Sequence, residues 1–299
     1  MNPKVQTEKY KSIKLITLAV LLGIIYVYSY NNIINQVNIH QFNKVCPVPR
    51  QGGNSDLYSQ YFEDYILSIV FKDVQKGSYI DVGANHPDYS SVTKYFYKKG
   101  WRGINIEPIP QAHQMFLNER PGDINLNIGA SNRQNEMQFY RIFRKDSKRD
   151  VLSTFNKEIF LKTRKDGYNY ESIKIPVTTL NQVLNMHPLK EISFINIDVE
   201  GHEKQVLEGL DLKKHRPAVF IIEATEPGTS IPSHETWELI LLNNNYEFIL
   251  FDGLNRYYLA NDHRGKFINN FKKAYTCAQK ANEIYGIINN PLIANDSLF

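Results

Sequence analysis

The chain has 299 residues and a formal net charge of +4 at pH 7, its Lys and Arg spread along the whole length, which excludes the concentrated basic face of a nucleic-acid binder. Cys46 and Cys277 are too few for a disulfide framework, though one bridge in an oxidising compartment stays open, and no Cys/His group has zinc-ligand spacing. There are no internal repeats, and beyond an N-terminal extension the chain has the size of one α/β domain.

Residues 1–14 carry Lys4, Lys9, Lys11 and Lys14 and precede an apolar run, residues 15–30. The run is just short of the roughly 17–25 residues of a spanning helix, but the stem of Lys14 can reach the interface and lengthen it. Tyr28 and Tyr30 suit an interfacial aromatic belt, and no small-x-small cleavage signature follows. The run therefore reads as an uncleaved signal anchor. Lysines lie ahead of it and no Lys or Arg follows until Lys44, so the positive-inside rule keeps residues 1–14 cytoplasmic. The expectation is a single-pass type II membrane protein whose domain is lumenal or extracytoplasmic, as in the Golgi or ER. Residues 31–54, rich in Asn and Gln, show neither helical nor strand period and read as a stem.

Within residues 55–265, two apolar runs follow one another, YIDVGAN (79–85) and GINIEP (103–108). Each reads as a buried strand that stops at an acidic residue, the first breaking into a glycine turn before a helix. Two such units open a parallel α/β sheet, whose ligand sits at the carboxyl ends of the strands where the strand order reverses. Glu107 can accept both hydroxyls of a ribose there. The turn GANHPDYS (83–90) lacks the second and third glycines that let a pyrophosphate approach, which argues for a nucleoside ligand without phosphates. S-adenosylmethionine fits, with adenosine at Glu107 and the amino-acid end at Asp81 and Gly83. Taken alone, Asp81 fits a strand-end helix cap equally well.

The remaining elements follow in a consistent order. Residues 111–118 read as a helix, DINLNIGAS (123–131) as a third strand, ISFINIDVEGHE (192–203) as a fourth and AVFIIEATEP (218–227) as a fifth. Between the third and fourth, RIFRKDSKR (141–149) reads as a solvated loop, or as a lid over an acceptor. Residues 234–244 read as a helix, and 246–260 as two strands about a D-G-L-N turn. Residues 267–286 suit a closing helix in a C-terminal tail, residues 266–299, and NDS (295–297) is a weak glycosylation signal. The expected fold is α/β: a Rossmann-like, seven-stranded, mostly parallel sheet ending in an antiparallel hairpin, the class I methyltransferase architecture.

From residue 59 to about 263 the chain resembles the FkbM family of methyltransferases. The resemblance is carried by SQYFEDYIL (59–67), YIDVGAN, SVTKYFYKKGWRGINIEPIP (91–110), RPGDINLNIGAS (120–131), PVTTL (176–180), IDVEGHEKQVLEGLDL (197–212), RPAVFIIEATEP (216–227), SHETWE (233–238) and FDGLNRYYLA (251–260). It implies S-adenosylmethionine-dependent O-methylation of hydroxyls on sugars or other polyhydroxylated metabolites. It also implies roles for Asp81, Gly83 and Asn85 at the methionine portion of the cofactor, for Glu107 at the ribose and, less firmly, for Asn127 at the adenine. A stalked, lumen-facing enzyme favours a glycan or glycoconjugate acceptor, although a lumenal site needs its cofactor delivered across the membrane.

The acceptor side centres on DVEGHE (198–203). An in-line displacement at a sulfonium carbon requires a hydroxyl to be aligned and relieved of its proton, and Asp198, Glu200 and His202 are the candidate catalytic groups. Glu200 and Glu203 also suit a helix N-terminus. Asp198 and Glu223, ending neighbouring strands, could hold a divalent cation; two carboxylates bonded to loop backbone is the preferred reading, and no metal ligand is assigned. Two other functions stay open: a catalytically silent, membrane-anchored adaptor on the same fold, and a nucleotide-sugar transferase, against which stands the lack of a D-x-D motif.

Overall fold

The computed structural model describes residue 46 and residues 57–145, 152–164, 167–285 and 292–295. The main sheet begins with β1 (Ser78–Val82) and β2 (Arg102–Ile106), in each of which every residue after the first is buried. β7 (Phe194–Ile197) and β8 (Val219–Glu223) are buried throughout. Strands covered on both faces by helices need apolar residues at nearly every position, and parallel pairing forces such crossovers. With β3 (Ile124–Leu126), the hairpin β9 (Tyr246–Phe251) and β10 (Asn255–Ala260), and β11 (Ile293–Ala294), the order is β11-β9-β10-β8-β7-β1-β2-β3. The chain builds outward from β1 to β3 and then returns to place β7 on the other side of β1. That reversal is the switch point at which such sheets bind ligands.

The two sheet faces differ in kind because successive residues of a strand alternate between them. Ile80, Val82, Ile104, Ile106, Ile195 and Ile197 form an aliphatic core with Leu180 and Val183 of α5 (Leu180–Met186) and with Val206 and Leu207 of α6 (Glu203–Glu208). Each fully buried side chain of this kind contributes about 1.5–3 kcal/mol relative to exposure. On the other face Tyr79 stacks on Phe194, which meets Phe71, Phe96 and Trp101. One step further along the strands the aromatic row gives way to a polar row in register, Asn196–Asp81–Asn105–Asn125. The helices beside this face are α1 (Glu63–Val70), α2 (Lys94–Lys98) and α8 (Arg264–Tyr285), with α1 packed on α8.

The expected sheet of seven strands is present and gains β11 at its edge. The expected third strand is divided: residues 124–126 stay in the main sheet, while β4 (Gly129–Ala130) leaves it for a second sheet of order β4-β6-β5. β5 (Asn135–Arg144) and β6 (Tyr168–Thr178) form a long antiparallel hairpin that the sequence reading missed. Arg141 to Arg144 therefore lie on a strand, and Arg141 pairs with Glu171 across the ladder at 2.8 Å. Only Phe139 and Ile142 of β5 are buried, too few apolar positions to give a strand period. Residues 234–244 also depart from one helix: a 3-10 turn (His234–Thr236) is followed by α7 (Glu238–Leu242), with Trp237 outside helical geometry between them at φ −135°, ψ −17°. The remaining helices are α3 (Pro110–Glu119) and α4 (Lys157–Lys162).

Among the described residues no helix is long and apolar enough to cross a membrane. The predicted anchor, residues 15–30, lies outside them, as do the tail before it and the stem apart from Cys46. Neither cysteine is a free thiol; Cys46 and Cys277 are both disulfide-bonded. Asn295, the proposed glycosylation acceptor, uses its side-chain amide to donate to the Phe248 carbonyl at 3.1 Å, so it is engaged by the sheet edge rather than presented.

Candidate functional site

At the carboxyl end of β1 the chain turns through Gly83, whose φ is +79°. A Cβ there would lie 1.8 Å from the carbonyl oxygen of Asp198, which follows β7. Only glycine allows the two strand ends to close this tightly at the switch point. The amides of Gly83 and Ala84 both donate to the Ile106 carbonyl, at 3.0 and 3.2 Å. Asn85, itself left-handed at φ 51°, donates its backbone N–H to Oε2 of Glu107 at 2.6 Å. Oε1 of Glu107 accepts from the Ile109 amide at 2.7 Å. Two backbone donors thus hold the buried carboxylate at the edge of the cleft.

Glu107 lines an open cleft with Gly83, Asn85, Ile109, Phe139, Phe155, Asp198 and Glu200. Asp81 lies on the adjoining wider cavity, which shares Gly83, Asn85, Leu152, Asp198 and Glu200 with the first. Its Oδ1 accepts from Asn196 Nδ2 at 3.0 Å and its Oδ2 from Thr93 Oγ1 at 2.6 Å. Burial pushes the Asp81 carboxyl up, and those two donors pull it back. Thr93 is held in turn by Arg120 Nη1 at 2.6 Å; the fully buried guanidinium also donates to Ser91 Oγ at 2.6 Å and to the Pro87 carbonyl. The loop after the glycine turn is therefore pinned to one internal cation.

The other wall is acidic. Asp198, Glu200 and Glu223 each bring a carboxylate oxygen within 4.8 Å of the others. Asp198 and Glu223 converge because β7 and β8 are parallel neighbours in register, Ile197 beside Ile222. Glu200 joins them through two successive left-handed residues, itself at φ 52° and Gly201 at φ 89°, and Thr154 Oγ1 donates to its carbonyl at 2.8 Å. Burial and the facing carboxylates of Glu203, Glu63 and Asp81 push Asp198 up to about 7. Burial, then the surrounding acids, hold Glu200 and Glu223 well above the usual carboxylate range. Glu203 is spent locally, its Oε1 accepting from the Gly201 amide at 2.9 Å.

Of the expected site residues, the structure brings Asp81, Gly83, Asn85, Glu107, Asp198 and Glu200 to the two connected cavities. Asn127 is not at either: its Nδ2 donates to the carbonyls of Glu107 and Pro108 at 2.9 and 3.0 Å and so braces the end of β2. His202 is also absent from both linings. As the residue before α6 it turns into the protein, 5 % exposed, within 3.1 Å of Ser131 Oγ and against Phe155. Burial and then Arg133 lower it to about 4. A left-handed Glu200–Gly201 pair reverses the chain just before it, which residue type alone did not reveal. Glu223 was suspected only as a possible cation ligand. Asn196 was missed, although the alternation in INID places it on the face of Asp198. Thr93, Arg120, Phe139 and Phe155 carry no sequence signal for their positions.

No curated protein matches the chain. A family model does: that of the methyltransferase FkbM domain covers residues 81–248, from the acid of the first strand into the hairpin strand β9 and more than half of the chain. The chain belongs to the FkbM methyltransferase family.

Proposed function

We propose that the protein is an S-adenosylmethionine-dependent O-methyltransferase. The observation that carries this reading is the single switch-point cleft with Glu107 on one side and Asp198 with Glu200 on the other. The residues fit the cofactor: Glu107 lines the cleft with a carboxylate suited to ribose hydroxyls, Ile109, Phe139 and Phe155 offer apolar surface for a base, and the Asp81–Gly83–Asn85 turn leaves room for an amino-acid end. When bound, S-adenosylmethionine supplies a methyl carbon on a sulfonium sulfur, open to in-line attack by an oxygen. The protein's part is alignment and proton removal. Asp198, at the end of β7 and on both cavities, is the group to take the acceptor proton, with Glu200 beside it.

The proposed acceptor is a sugar hydroxyl of a glycan or glycoconjugate. Supporting it are the apolar run at residues 15–30 with lysines ahead of it, which favours a membrane-held enzyme facing away from the cytoplasm, and the two disulfide-bonded cysteines, which suit an oxidising compartment. Calorimetric titration of the full chain with S-adenosylmethionine and S-adenosylhomocysteine tests the donor. Saturable binding that disappears in the Asp81→Ala, Glu107→Ala double variant is expected. A folded chain that binds neither compound would move the reading to a non-catalytic adaptor.

A further inference from the structure

We propose that Asp198, Glu200 and Glu223 form a binding site for one divalent cation of the hard, oxygen-preferring class, magnesium or manganese. Three strand-end and turn positions direct one oxygen each to a common point, all within 4.8 Å of one another. Oxygens around a cation at about 2.0–2.6 Å are at most about 4–5 Å apart, so the three can share one ion. The donor set is carboxylate only, which favours magnesium, manganese or calcium over zinc or copper.

An acidic cluster needs more than proximity, and the second observation is what the carboxylates lack. Oε2 of Glu223 and Oε2 of Glu200 are shielded from solvent and accept no hydrogen bond, although Glu223 is only 5 % exposed. A buried acceptor left without a donor is costly. Glu200 receives one backbone bond, from Leu152, and Glu223 is bonded to Asp198, but no donor reaches the two Oε2 atoms, and the charged residues acting on Glu200 and Glu223 are all acidic. The one cationic side chain on the wider cavity, Arg144, belongs to the neighbouring hairpin and forms no ion pair with them among the described residues. A cation supplies the missing partner of both Oε2 atoms and offsets the charge of Asp198 beside them. Each carboxylate gives it one oxygen, so the second oxygen of Asp198 stays available to the acceptor.

The cation site itself is independent of the methyl-transfer reading; its use rests on that reading. An ion here would hold the acceptor oxygen on the cleft and lower the pKa of its hydroxyl, adding a charge where carboxylates alone repel the developing alkoxide.

The test is electron paramagnetic resonance of manganese titrated into the full chain after treatment with a chelator. Loss of the free-ion sextet with one equivalent bound, and its return on adding excess magnesium, is expected. Glu223→Gln should weaken manganese binding by more than the roughly 10–100-fold that loss of an outer-shell partner costs. If Glu223→Gln does not fold, Glu200→Gln, altered at a half-buried turn, reads the same site. An undiminished sextet at millimolar manganese over a folded chain would overturn the site. So would binding of unchanged affinity in the folded variants. Titration with S-adenosylhomocysteine in the presence of chelator reports the donor cleft separately, so failure of one reading is distinguishable from failure of the other.

Discussion

Glu107 shows how one side chain can organise a loop at the edge of a cleft. Its two oxygens accept the amides of Asn85 and Ile109, so Glu107→Gln must turn an NH2 group against one of two N–H donors. Charge-assisted bonds of this type contribute about 1.5–3 kcal/mol, and S-adenosylhomocysteine binding should weaken roughly 10- to 150-fold by calorimetry. Unchanged affinity would remove Glu107 from the ribose. Arg120 lines neither cavity of the site, yet it fixes Ser91, Pro87 and Thr93, and through Thr93 the carboxylate of Asp81. Arg120→Leu strands those acceptors in the interior. A loss of about 3 kcal/mol in urea unfolding is expected, of the size seen when one member of a buried polar pair is removed. A neutral result would mean water takes over its role.

Two glycine turns, one at each wall of the cleft, make a contrast at the scale of elements. Gly83 joins β1 to its loop, and a methyl group there meets the backbone of Asp198, which is fixed by the Asp198 amide donating to Val82 at 3.0 Å. Gly201 precedes α6, and a methyl group there meets the end of the Ile159 side chain, which can rotate away. Both are left-handed, at φ 79° and φ 89°, so each alanine carries a strain of about 1–3 kcal/mol. Only Gly83→Ala adds a clash that no side chain can relieve. It should lower stability by at least about 3 kcal/mol and abolish donor binding, whereas Gly201→Ala should keep the donor and lose activity. Equal effects of the two on chemical denaturation and on titration would contradict this assignment.

For the molecule as a whole, the carboxyl ends of the strands concentrate buried acids, and the consequence is an inverted pH response. Burial pushes Asp64 and Asp252 each up to about 7. Asp64 takes bonds from the Tyr58 and Ser59 amides and the Ser59 hydroxyl, with Glu63 beside it. Asp252 accepts from the Leu254 and Asn255 amides, Asn255 Nδ2 and Tyr257, and also faces Glu63. Because these groups bind protons more tightly folded than unfolded, the native state holds more protons between about pH 4 and 7. Stability therefore falls as pH rises through that window, the opposite of a salt-bridged carboxylate. With chelator present, Tm at pH 8 should lie on the order of 5–10 °C below Tm at pH 5. A Tm that climbs with pH by scanning calorimetry would show that these acids ionise freely in the folded protein.

The Glu107 wall of the cleft was legible because it is local: the strand YIDV, the turn at Gly83 and the acid ending GINIE lie within thirty residues, and each apolar run has the composition of a doubly covered strand. The main sheet was legible for the same reason, and the hairpin through the Asp252 turn, whose Oδ1 takes the Leu254 and Asn255 amides. The second sheet was not, since β5 and β6 bury few side chains and owe their strand state to pairing over a long separation. Nor were the roles of His202 and Asn127, one turned inward by a left-handed pair and the other claimed by backbone carbonyls. The meeting of Asp198, Glu200 and Glu223 depends on strand order, register and two positive φ angles together. Residue types along the chain name the acids; only the fold decides which of them share a point in space.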